Sequence, residues 1–172
     1  MSAMPVRDAV EAVRQSVEAD PARAVLRLRT EAELVGVTEV SVRMGGHTVT
    51  VDEPKSVGGT GVAANPVQLA LAALGSCQAI TYRYWADILG LQLDGVTVRV
   101  EGDVDVRGIF GFHPDAVPGP SAVSCEVTLR GPEDPARYAE LIAEVDSHCP
   151  VLDLFSRPVA VERKVEIASA DR

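Results

Sequence analysis

Asn65-Pro66-Val67-Gln68-Leu69-Ala70-Leu71-Ala72-Ala73-Leu74-Gly75-Ser76-Cys77-Gln78-Ala79-Ile80 is the stretch on which the fold turns. The asparagine oxygen can accept from the first free helical N–H groups, and proline fits the first helical position because its missing N–H has no partner there anyway. The pattern predicts a helix from Pro66 to Leu89, closed by Gly90. From Ser56 to Tyr82 there is no charged residue. A helix apolar nearly all round is expected to be enclosed on most sides. It is not read as a membrane span, which needs roughly 20 consecutive apolar residues. Gly58, Gly59, Gly61, Asn65 and Pro66 interrupt the stretch, and the apolar part from Val67 to Ile80 is too short.

Upstream, Leu26, Leu28, Ala32 and Leu34 alternate with Arg27, Arg29, Glu31 and Glu33, which predicts a half-buried strand from Val25 to Leu34. Val40 and Val42 begin a second strand, Gly45-Gly46 marks a hairpin turn, and Val49 and Val51 lie on the return. Gly58-Gly59-Thr60-Gly61 lacks the Lys-Ser/Thr ending of a phosphate loop. Before all of this, Val6, Val10, Val13 and Val17 have helical spacing in a segment from Pro5 to Ala19, ended by Asp20-Pro21.

Downstream, Val96, Val98 and Val100 define a strand from Gly95 to Val106, and a Gly- and Pro-rich loop runs from Arg107 to Pro120. A strand follows from Ser121 to Arg130, with Val123, Cys125, Val127 and Leu129 inward. Asp134-Pro135 opens a helix to Ser147 that presents Tyr138, Leu141, Ile142 and Val145 on one face. A last strand is expected from Pro158 to Ala168. Strands in runs separated by single helices define an α+β fold with a mainly antiparallel sheet. One sheet covers only one side of an apolar helix, so a partner chain is expected on the other, which predicts a homodimer.

The chain has 172 residues, 47% apolar and 24% charged, a globular composition for one domain. A net charge of -9 argues against nucleic acid and anionic membrane as partners, since phosphate neutralisation needs clustered Lys and Arg. Met1-Ser2-Ala3-Met4-Pro5-Val6-Arg7-Asp8 shows no basic start followed by an apolar run, so no signal peptide is read. Three cysteines, an odd number, suit a reducing, cytoplasmic compartment rather than a disulfide-stapled secreted module.

Cys125, inward on a strand, reads as a core residue. Cys77 reads either as a small packed residue or as a reactive thiol for which Gly75-Ser76 leave room. It lies too far along its helix to gain from the N-terminal dipole, so a thiolate there needs another source of positive potential. Cys149 ends a helix before Pro150, where the backbone reorganises more easily than in mid-helix. The plain alternative is packing against the sheet. His148 beside it has no second Cys-x-x-Cys or His-x-x-x-His to complete a zinc site, so neither metal nor cofactor is expected.

Asp52-Glu53-Pro54, Gly58-Gly59, Asn65-Pro66-Val67-Gln68-Leu69, Ala72-Ala73-Leu74-Gly75-Ser76-Cys77 and Cys149-Pro150-Val151, in that order, resemble the OsmC/Ohr family of osmotically induced and organic hydroperoxide resistance proteins. The resemblance runs from Val25 to the C-terminus. It implies a single domain over 1–172, with 1–22 a helical extension. It implies an OsmC/Ohr-like fold, a strongly curved sheet wrapped around central helices in an intertwined homodimer, with two active sites at the interface. It also implies a thiol-dependent peroxidase. Cys77 takes the place of the cysteine that attacks an organic hydroperoxide and becomes a sulfenic acid, and Cys149 that of the cysteine that resolves it. A dithiol of the dihydrolipoamide kind restores the pair. Arg43, just before Gly45-Gly46, best matches the arginine that holds the thiolate, against the plain reading of a solvated hairpin residue. The hydroperoxidases carry a glutamate just after the Asn-Pro; here Val67 and Gln68 stand there, and Glu53 is the nearest carboxylate in the preceding loop. That departure leaves a second reading, a catalytically weak dimer that binds a small ligand or senses redox state. A third is a dimeric scaffold whose cysteines are only core.

Overall fold

A computed structural model of the protein describes residues 5–168. The first four residues of the expected N-terminal extension lie outside them. Helix α1 (Val6–Ala19) ends at Asp20, whose carboxylate accepts from Ala22 N at the head of a 3₁₀ turn over Pro21–Ala24. Strands β1 (Thr30–Leu34), β2 (Val40–Met44) and β3 (His47–Val51) form an antiparallel three-stranded sheet in the order β1-β2-β3. Met44 faces His47 across the Gly45-Gly46 turn.

Helix α2 (Pro66–Leu89) follows. Asn65 Oδ1 accepts from Gln68 N at 2.8 Å while Gln68 Oε1 accepts from Asn65 N at 3.0 Å, a reciprocal cap that satisfies two free donors at once. Gly90 closes the helix with φ +68°, a left-handed conformation that glycine adopts without steric cost. Strands β4 (Gly95–Gly102) and β5 (Val123–Arg130) form a second antiparallel pair. A short helix α3 (Val106–Ile109) lies between them. Helix α4 (Pro135–His148) is capped by Asp134, whose carboxylate accepts from Ala136 N and Arg137 N. Helix α5 (Pro150–Ser156) follows after one residue.

The core is built where α2, α4 and the inner face of β4–β5 meet. Tyr82, Ala86, Leu91, Leu93, Leu141 and Val145 are buried there, with Trp85, Val96, Val127, Leu129 and Tyr138 packed against them. The architecture is α+β with antiparallel sheets.

Within one chain α2 packs against β4, α4 and α5 and also touches α1; Leu74, Gln78, Thr81, Tyr82 and Ala86 are buried, whereas Leu69, Ile80 and Tyr84 are exposed. Three expectations need correction. Pairing in β1 starts at Thr30, and Val25, Leu26 and Leu28 stand in solvent. The segment from Pro158 to Ala168 is no strand: no backbone hydrogen bond joins it to another described segment, and Ile167 is 95% exposed. Its alternation is that of a strand former, but an extended segment becomes a strand only against a partner edge. Finally, Cys125 is exposed rather than part of the core.

Candidate functional site

Cys77 sits midway along α2 and Cys149 at the joint between α4 and α5. Although they are separated by 72 positions, their sulfurs lie 3.5 Å apart, at S–H···S hydrogen-bond distance. Both are free thiols, Cys149 buried and Cys77 partly so. Forming a disulfide of about 2.05 Å from that contact requires an approach of about 1.5 Å.

The electrostatics at Cys77 pull in two directions. Burial pushes its thiol up, and the charge of Cys149 adds to this. The nearby backbone N–H of Val151 favours the thiolate, as does the Thr81 hydroxyl, which itself donates to the Cys77 carbonyl oxygen at 2.8 Å. Burial prevails, so in the single chain the thiol stays above its ordinary value. The Val151 donor was missed in the sequence because Cys149-Pro150 reads as the exit of a helix. The signal was present: proline at the first helical position and Asp153 in the first turn mark a new helix start.

Arg43 lies in β2, in the three-stranded sheet, and is exposed. Its guanidinium pairs with Glu31 on β1 at 3.0 Å, directly across the β1–β2 register. Among the described residues no hydrogen bond links Arg43 to Cys77. Gln68 is occupied in the cap of α2. Val67, Gln68 and Glu53 line one cavity of about 570 Å³, walled also by Leu71, Val104 and Phe110. Glu53 is thus near the head of α2, on the cavity's rim rather than beside the thiols.

Between β3 and α2 the Gly-rich loop wraps a buried carboxylate. Asp52 accepts from Thr38 Oγ1 at 2.5 Å, Thr60 Oγ1 at 2.7 Å, Gly61 N at 2.8 Å and Thr60 N at 3.0 Å. The Thr38 and Thr60 hydroxyls, with backbone N–H groups, hold it well below the usual carboxylate range. The loop therefore serves an internal anion. His148 packs on Trp85 with ring centroids 4.4 Å apart and the ring planes tilted by 37°. Among the described residues no group of three or more His, Cys, Asp or Glu side chains is placed to hold a metal, and no helix is long and apolar enough to cross a membrane.

The family model described as OsmC-like protein matches residues 58–164, and the chain belongs to that family. Its fold is similar to that of an OsmC-like protein from Mycoplasma pneumoniae, with TM-score 0.66 and 18% identity over 76% of this chain and 87% of the other. It is similar also to an organic hydroperoxide resistance protein OsmC from Legionella pneumophila, with TM-score 0.56 and 19% identity over 77% and 90% of the two chains. An organic hydroperoxide resistance protein from Elizabethkingia anophelis, solved with thiocyanate bound, gives TM-score 0.58 and 18% identity over 77% and 89%. No curated protein matches the chain at a comparable level of significance. Identities this low carry the fold alone.

Proposed function

We propose that the protein is a thiol-dependent peroxidase of organic hydroperoxides, acting in the cytoplasm. The observation that carries this reading is the 3.5 Å contact between Cys77 and Cys149 in a chain of the OsmC family. The Cys77 thiolate attacks the O–O bond and takes the terminal OH to become a sulfenic acid, while the alkoxide leaves and takes a proton from water to become the alcohol. The Cys149 thiol condenses with it, water departs, and a disulfide remains for a dithiol to reduce.

The proposed active unit is an intertwined homodimer with a strongly curved sheet. The exposed apolar residues support it. Leu69, Ile80 and Tyr84 leave one side of α2 uncovered, and Leu26, Leu28, Val161 and Ile167 stand on extended segments with no strand partner among the described residues. Strands of a second copy would pair with these segments. In this reading 1–172 is one domain with 1–22 as an extension, and Arg43 is brought to a thiol by dimer formation to offset the burial that now holds Cys77 up.

Stoichiometric cumene hydroperoxide is expected to remove two hydrogens from the mass and to link the peptides of Cys77 and Cys149, with Cys77→Ser abolishing turnover. An unchanged mass, or equal turnover by Cys77→Ser, refutes the reading. The absence of a carboxylate at Val67 and Gln68 favours one alternative, a slow member that binds a small ligand or senses redox state. Restoration of fast turnover by Val67→Glu would identify that carboxylate as what the chain lacks.

A further inference from the structure

The β4–β5 pair carries a third thiol on the side that faces α2. Cys125 stands directly opposite Val100 in the register, and opposite residues of an antiparallel pair share a face. Val100 Cγ2 lies 3.3 Å from the position a Cβ would take on Gly75, so this face looks onto α2. Cys125 is nevertheless exposed, because a cavity of about 300 Å³ opens beside it. Its walls include Leu74, Leu152 and Phe155. Leu74 is one helical turn before Cys77, and Leu152 is three residues after Cys149. The cavity is therefore walled by Cys125 and by near neighbours of both other thiols on the helices that carry them.

We propose that Cys125 is a third redox thiol, which takes Cys149 over from the Cys77–Cys149 disulfide at the wall of this cavity. The proposal rests on the peroxidase reading above. The Cys125 thiolate attacks the Cys149 sulfur, the Cys125–Cys149 bond forms, and the Cys77–Cys149 bond breaks. Cys77 leaves as a thiolate, and the proton given up by Cys125 passes to solvent. One disulfide is exchanged for another, so no further oxidant or reductant enters. Cys77 is freed for a second hydroperoxide, while the oxidised pair now includes the exposed sulfur that a dithiol can reach. Burial holds the Cys125 thiol up, and negative charge at Cys149 or Asp146 acts in the same direction.

The three cysteines fall on separate tryptic peptides, 56–83, 108–130 and 138–163 (the Arg157-Pro158 bond resists trypsin), so non-reducing peptide mapping reads every pairing. Wild-type protein is oxidised in two arms, with one equivalent of cumene hydroperoxide and with diamide, which makes disulfides without peroxide chemistry. The expected result is a Cys77–Cys149 link followed by a Cys125–Cys149 link. Without reductant, wild type should also consume two equivalents of hydroperoxide per chain, and Cys125→Ala one. A Cys77–Cys149 link that persists while Cys125 stays fully alkylated by iodoacetamide overturns the relay and leaves the peroxidase reading intact. Failure of the hydroperoxide arm alone overturns the peroxidase reading, and the diamide arm still decides the exchange. No link in either arm overturns both. The mapping needs no variant, so poor folding of Cys125→Ala would not blunt it.

Discussion

Replacing Gly59 by alanine should destabilise the protein by about 2 kcal/mol, through backbone rather than side-chain crowding. A Cβ at this position would lie 1.8 Å from the carbonyl oxygen of Glu53 and 2.3 Å from its carbon. Ordinary contact between carbon atoms is about 3.5–4.0 Å, so the loop must retreat by more than about 1 Å. Neither group is the end of a flexible side chain. The retreat removes the bonds from Gly59 N to Pro54 O at 3.2 Å and from Gly61 N to Glu53 O at 3.1 Å. At about 1 kcal/mol each, these two account for the figure. For a chain of this size, Tm should fall by about 4–8 °C. Urea unfolding at equilibrium is the assay, with Gly46→Ala as the control, since a Cβ on Gly46 meets nothing within 4 Å. A Gly59→Ala protein within about 0.5 kcal/mol of both the parent and the control would refute the reasoning.

Two further outcomes are expected. Asp52 is held below its ordinary range in the folded chain, so the stability it contributes is complete above the unfolded value of about 4 and is lost as pH falls toward the folded one. Asp52→Asn should flatten the acid limb of the stability profile in that window, and an acid limb parallel to the parent's would refute the assignment. Leu141 is fully buried at the meeting of α2 and α4, and Leu141→Ala should cost about 2–5 kcal/mol in urea unfolding, with a loss below about 1 kcal/mol counting against the described core.

Local signals were legible and long-range ones were not. Asn65, Pro66 and Gly90 delimit α2 because capping is decided within a few residues, and the same holds for Asp134-Pro135 at the head of α4. The β2–β3 hairpin follows from Gly45-Gly46 for the same reason. Alternation at Leu26 and Leu28, and again at Val161 and Ile167, showed which segments favour extended backbone but not whether this chain holds a strand to pair with them. At Cys125 the period of two assigns the correct face of β5. It carries no information about what lies above that face, which here is a cavity. The meeting of Cys77 with Cys149 was not available from spacing either, because the positions are joined only by the packing of α2 against α4 and α5.

Cys149 is at once the last link of one helix and the first of the next. Its N–H bonds to Val145 O and ends α4, and its carbonyl oxygen accepts from Asp153 N and begins α5. The two arms of this joint are unequally anchored. Leu141 and Val145 clamp α4 in the interior, whereas α5 has no buried residue. A pull on the Cys149 sulfur would therefore be taken up by the shorter, looser arm. That arm carries Leu152 and Phe155, so movement at the joint would reshape the opening that these two side chains line.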